Sequence, residues 1–237
     1  MAVQPTTFPP DGLAVVIGAS GGIGTALVNA LRDSSTFAQV LPLSRSADSL
    51  DITDESSIAQ AAKSVLGLGV PLRLVIVATG VLHDGQMRPE KSWKQLDGNA
   101  LATSFAINAS GPALVAKHFL PLLPRTGKAV FAALSAKVGS IGDNHLGGWY
   151  GYRAAKAALN QLIHTAAIEL RRTHPEAVCL TLHPGTVATA LSAPFSSPAH
   201  PADDPTLAAA RLLAVLEQAR PIDSGLMLDY TGSPLSW

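Results

Sequence analysis

Tyr152 and Lys156 stand four residues apart in Tyr152-Arg153-Ala154-Ala155-Lys156, within helical apolar spacing that runs over 149–172. That interval sets two side chains on one face of a helix. A neighbouring ammonium stabilises a phenolate, so the tyrosine is expected to have its pKa lowered from about 10 toward the working range. A phenol so tuned gives a proton to a carbonyl oxygen as hydride arrives, or takes one from an alcohol in the reverse direction. Pairs at this spacing also occur on helices that do no chemistry, so the rest of the chain must support the reading.

A second chemical signal lies near the start. The apolar run 13–17 leads straight into Gly18-Ala19-Ser20-Gly21-Gly22-Ile23-Gly24, and helical spacing follows. Strand, glycine turn and helix in this order let backbone N–H groups at a helix N-terminus approach a pyrophosphate. The apolar run 39–43 ends in Ser44-Arg45-Ser46, without the acidic residue that would grip the ribose 2′-hydroxyl of NAD. Arg45 suits a 2′-phosphate instead. Its other reading is a solvated surface charge.

These residues need a scaffold. Apolar segments at 13–17, 39–43, 72–78, 129–134 and 178–182 alternate with helical periodicity over 23–32, 55–66, 100–123, 149–172 and 205–218. Continuously apolar strands between helices predict a parallel sheet covered on both faces. The expected fold is therefore α/β, doubly wound, in three layers and a single domain over 1–237. Asp54 with Ser57, and Asp204 before Pro205, read as helix N-caps. Residues 1–11 read as a tail, and the proline- and serine-rich loop 192–205 as a flexible substrate lid or as plain disorder.

Gly-x-x-x-Gly-Ile-Gly after the first strand resembles the short-chain dehydrogenase/reductase family, and the likeness extends over nearly the whole chain. Gly139-Ser140-Ile141 followed by Gly147-Gly148-Trp149-Tyr150-Gly151-Tyr152-Arg153 is similar to its sniffer-type carbonyl reductases and to the bacterial C-factor. The resemblance implies a Rossmann fold and NADP as cofactor, with NAD less favoured, although Gly21 stands where many NADP-preferring members carry a basic residue. It implies that Asp51, beside Ile52, accepts from the adenine amino group, a helix cap being the other reading. It also implies that Ala78-Thr79-Gly80, a partial match, turns under the adenosine ribose. Lys156 would bind the nicotinamide ribose, and Pro184-Gly185 with Val187 and Thr189 would hold the nicotinamide carboxamide. Asn108 would hold a water that links Lys156 to solvent; an asparagine in an otherwise apolar helix needs such partners. The family's catalytic serine falls on Ala136 in Leu134-Ser135-Ala136. Either Ser135 takes its role, or Ser140 does, or the site works without the hydroxyl. Ser135 is preferred, re-aimed by a one-residue bulge at the strand end.

Composition narrows the partners. Lysine plus arginine equal aspartate plus glutamate at 17 each, with no run of like charge, which points away from nucleic acid and toward a small molecule. With 47% hydrophobic residues the chain can bury a sizeable core unaided. Cys179, the single cysteine, excludes an internal disulfide and reads as a buried strand residue. The seven histidines, at 83, 118, 145, 164, 174, 183 and 200, lack metal-ligand spacing, so no metal is expected. His145, Trp149 and Tyr150 are pocket candidates or, for the aromatics, core residues. The start, with Gln4, Pro5, Pro9 and Pro10, does not read as a signal peptide, and no apolar run nears the ~20 residues that span a bilayer. A cytoplasmic protein without a membrane partner is expected. The resemblance implies a homodimer or homotetramer through the fourth and fifth helices, on which Leu114, Phe119, Leu162 and Ile163 are either interface or core residues. The expected function is reduction of an aldehyde or ketone by NADPH, or the reverse. Its rival is a nucleotide-binding regulatory or signalling protein that has kept the fold and lost efficient catalysis, as Ala136 and the altered Ala78-Thr79-Gly80 turn suggest.

Overall fold

A computed structural model describes residues 7–85, 87–195 and 202–237. Six strands, β1 (Leu13–Ile17), β2 (Gln39–Leu43), β3 (Leu72–Val77), β4 (Ala129–Leu134), β5 (Ala177–His183) and β6 (Met227–Asp229), form one sheet in the order β2-β1-β3-β4-β5-β6. Every adjacent pair is parallel. The five expected strands appear within a residue or so of their expected bounds. β6 was not anticipated, because its three residues are too short to show a period. The chain runs from β1 to β2 on one side and then returns to place β3 on the other side of β1. In open parallel sheets, ligands bind in the crevice at such a reversal, outside the carboxyl ends of the strands.

Helices cover both faces, as doubly wound strands require. On one side α1 (Gly22–Ser34) and α7 (Pro205–Gln218) pack Leu27, Val28, Leu212 and Leu216 against Val16, Ile76, Leu180 and Leu182. On the other, α3 (Glu55–Gly67), α5 (Gly111–Phe119) and α6 (Tyr150–Leu170) pack Ile58, Val115, Phe119, Leu159 and Ile163 against Val15, Val75, Phe131 and Cys179. Alternate residues of β4 and β5 therefore face opposite layers. Cys179 is buried as expected. Asp54 and Asp204 cap α3 and α7, accepting from the N–H groups of Ser56 and Thr206. A four-residue α2 (Arg45–Asp48) follows β2 directly.

Two expectations need correction. The tail does not extend to residue 11: Phe8 is buried against Phe37, with the Lys128 ammonium over its ring. Residues 1–6 lie outside the described residues. The helix expected over 100–123 is three pieces: α4 (Gly98–Phe105), a π-helical turn over Ala106–Ser110, and α5. Gly111 N–H reaches back five residues to the carbonyl of Ala106. Pro112, lacking an N–H, cannot make the usual bond to the Asn108 carbonyl. The break was therefore written at Pro112, where apolar spacing concealed it.

The loop after β4 lies directly on α6. A Cβ at Gly139 would sit 2.8 Å from the Cβ of Lys156 and 2.9 Å from its carbonyl carbon. Gly139→Ala must separate loop from helix, and overpacking of this kind costs about 1–3 kcal/mol. The urea midpoint should fall accordingly; an unchanged midpoint would show that the contact is slack.

Candidate active site

A cleft of about 940 Å³ opens along the carboxyl ends of the strands. Its walls include Gly21, Gly22 and Ile23 at the start of α1, Ala78, Thr79 and Gly80 after β3, Ser135 and Ala136 after β4, Tyr152 and Lys156 on α6, and Pro184, Gly185, Val187 and Thr189 after β5. One cavity thus gathers most of the expected site.

The phosphate turn is built by close packing. A Cβ at Gly24 would lie 2.2 Å from the Gly18 carbonyl oxygen, which no side chain tolerates. The turn brings α1 to the cleft with Gly21 as N-cap, no side-chain cap bond and no acidic residue in its first turn. Such an end suits an anion. Thr79 adds a buried hydroxyl without a partner among the described residues. These features fit a nucleotide pyrophosphate and ribose.

Other expected cofactor contacts are peripheral to the cleft or structural. Gly18, Ser20, Gly24, Ser44, Arg45, Asp51 and Ile52 do not line it. Arg45 is exposed at the first position of α2, beyond the end of β2. Ser44 caps that helix, and its N–H and hydroxyl donate to Asp48. Asp51 accepts from the N–H and hydroxyl of Thr53, which hold its carboxyl below the usual carboxylate range, with Arg45 assisting. Ile52 is buried against Gly111.

Tyr152 and Lys156 share a face of α6, with the ammonium 5.7 Å from the tyrosine ring centroid. Lys156 is 2% exposed, and Nζ donates to the Leu134 carbonyl at 2.8 Å. Burial pushes its pKa down to about 7 and raises the Tyr152 phenol to about 12. This is opposite to the expected lowering, because desolvation disfavours the phenolate. Asn108 is fully buried in the π-turn. Its Nδ2 donates to the Val81 carbonyl at 2.8 Å, and its Oδ1 accepts from Val81 N–H at 3.1 Å. A Cβ at Gly80 would lie 3.3 Å from Oδ1 and 3.9 Å from Lys156 Nζ, so both atoms approach the same residue.

The two candidate serines are placed differently. Ser140 accepts from Asp143 N–H and does not line the cleft. Ser135 does line it, with a buried hydroxyl that has no partner among the described residues. The bulge invoked to aim it is absent: β4 and β5 pair in unbroken register from Ala129 to Leu134. Ser135 shares its strand face with Phe131 and Ala133, the face that α6 covers.

Of the other pocket candidates, exposed His145 and half-buried Tyr150 do not line the cleft, whereas Trp149 does. Phe119 and Ile163 are spent in the core and leave only Leu114 and Leu162 of the expected interface residues with exposed surface. Part of the expected lid, 196–201 with His200, lies outside the described residues. Its flanks are fixed, since Asp203 exchanges backbone bonds with Thr186 and Ala188. Leu82, His83, Lys137, Leu146, His183 and Phe195 also line the cleft and were not singled out for it. They carry no motif, and only the tertiary fold brings their loops together.

A family model described as enoyl-(acyl carrier protein) reductase matches residues 18–218. The chain belongs to the short-chain dehydrogenase/reductase family. C-signal of Myxococcus xanthus is 36% identical over 138 residues, 58% of this chain and 78% of that protein. A 1-hydroxy-2-glutathionyl-2-methyl-3-butene dehydrogenase of Rhodococcus is 29% identical over 94% of this chain and 98% of its own. Among solved structures, an NADPH-bound carbonyl reductase from chicken fatty liver superposes with a TM-score of 0.80 at 23% identity, covering 98% of this chain and 96% of that one. The carbonyl reductase Sniffer of D. melanogaster gives 0.76 at 19%, covering 96% and 99%. The subgroup resemblance read from the sequence agrees with these relatives. No helix among the described residues is long and apolar enough to cross a membrane.

Lys156 ties the site to folding stability. Between its folded value near 7 and the ordinary 10.5, the unfolded chain holds the proton and the folded chain does not, so this group's contribution to stability rises with pH across that window. Urea unfolding of the native chain should therefore gain on Lys156→Met between neutral pH and about pH 9. Parallel pH profiles would contradict a buried, neutralised amine.

Proposed function

We propose that this protein is an NADPH-dependent carbonyl reductase, turning an aldehyde or ketone into an alcohol. The observation that carries the reading is Tyr152 and Lys156 at the wall of the cleft whose other end is the uncapped N-terminus of α1. The residues fit the cofactor: the turn 18–24 for the pyrophosphate, Thr79 for ribose, Arg45 for a 2′-phosphate, and Pro184, Gly185, Val187 and Thr189 for the carboxamide. The NADPH-bound neighbour supports this choice over NAD. A homodimer or homotetramer acting in the cytoplasm completes the proposal.

When bound, NADPH supplies hydride. Tyr152 donates its proton to the substrate oxygen, and burial keeps the phenol protonated before reaction. Lys156, near 7, exchanges protons readily at neutral pH, holds the ribose and stabilises the phenolate as it forms. Asn108, whose carbonyl Pro112 cannot engage, would hold a relay water for Lys156. Ser135 polarises the carbonyl with its hydroxyl, which has no partner among the described residues.

A second reading has its own support. Ala136 occupies the half-exposed wall position where the family serine is expected, and a relative is named a signal. A nucleotide-binding regulatory protein with weak turnover would have these features. Turnover of simple carbonyls with NADPH separates the two. Under the leading proposal Tyr152→Phe lowers kcat by about 10²- to 10⁴-fold while cofactor binding persists. A loss of less than tenfold would remove Tyr152 as the acid.

A further inference from the structure

The turn that introduces α6 is held in an unfavourable conformation. Gly147, Gly148 and Trp149 are consecutively left-handed, with φ of 64°, 68° and 53°. Glycine accepts this; tryptophan does so only when its surroundings impose it. They do so from two sides. Arg153 donates to the carbonyls of Gly147, Gly148 and Val138. The buried Glu90 accepts from Trp149 N–H with its backbone carbonyl and from Gly151 N–H with its carboxylate.

The result of this bracing is the position of one indole. Trp149 lines the cleft beside Tyr152, their rings 6.3 Å apart at 73°. Phe195 meets the indole edge-on at 5.1 Å, and His83 meets Phe195 at 5.7 Å. Leu82, Val138 and Leu191 add apolar wall, and Leu146 stands 92% exposed at the mouth. Charged groups on this side are already engaged, Lys137 with Asp143 at 3.4 Å and Arg153 with three carbonyls. This half of the cleft therefore offers an anionic substrate little and a flat apolar ring a great deal.

We propose that Trp149 and Phe195 form an aromatic wall that selects aryl ketones and aldehydes, with the reacting carbonyl presented to Tyr152. The proposal rests on the carbonyl-reductase reading. Hydride from NADPH adds to the carbonyl carbon and the Tyr152 proton to the oxygen. The products are the aryl alcohol and NADP⁺, and water returns the proton to Tyr152.

The test compares acetophenone with 2-octanone, ketones of equal carbon count, in the native protein, Trp149→Leu and Trp149→Phe. The ratio of kcat/KM for aryl over alkyl ketone should fall about threefold to tenfold in Trp149→Leu, the scale of one aromatic contact, and largely survive in Trp149→Phe. Calorimetric binding of acetophenone to the same three proteins, without cofactor, provides a readout independent of turnover. Efficient reduction of both ketones at a ratio indifferent to Trp149 would overturn the wall and leave the reductase. No reduction of either, with acetophenone binding that weakens in Trp149→Leu, would overturn the reductase and leave the wall. Absence of both turnover and Trp149-dependent binding would overturn the wall as well.

Discussion

A primary amine enclosed by protein must find acceptors, and this fold offers one at a single kind of place, the carboxyl edge of the sheet where strand carbonyls run out of partners. Lys156 uses it, bonding the Leu134 carbonyl at the end of β4. That bond joins α6, packed on the sheet through Leu159 and Ile163, to the end of β4, and Tyr152 stands one turn earlier on the same helix. Gly139 lets the following loop close over the lysine stem. The π-turn brings Asn108 close to Gly80 as well, where its amide clamps both backbone groups of Val81. Strand end, loop and α6 thus converge on one buried nitrogen, with the π-turn beside Gly80.

The cost of burying that nitrogen is visible in its titration. Desolvation disfavours the ammonium and the phenolate alike, so both groups shift toward their neutral forms. An i, i+4 pair suggests a lysine that simply activates its tyrosine. The enclosed pair instead holds a protonated acid beside an amine poised near neutrality.

Much of this organisation was legible in the sequence because it is local or periodic. Apolar strands, Asp54 and Asp204 as caps, the turn 18–24 and the Tyr152/Lys156 interval all depend on residues close in the chain. The π-turn was half legible: Pro112 marks the break, but apolar residues on both sides continue the helical pattern. The aim of Ser135 was not, since an unbroken β4–β5 register and an alanine neighbour decide it in three dimensions. For Trp149 the sequence leaves pocket and core both open, because nothing local reveals that Glu90, about sixty residues earlier, accepts its N–H. β6 gave too few residues to show a period, and its place beside β5 is a tertiary fact.

The account stands on the uncapped start of α1 being a dinucleotide site with Arg45 at its far end. The most direct test is a fluorescence titration of NADPH and NADH against the native protein and Arg45→Ala. Tighter binding of NADPH, lost with Arg45, is the predicted result. Failure of the native protein to bind either nucleotide would contradict the account and leave a family fold without its chemistry.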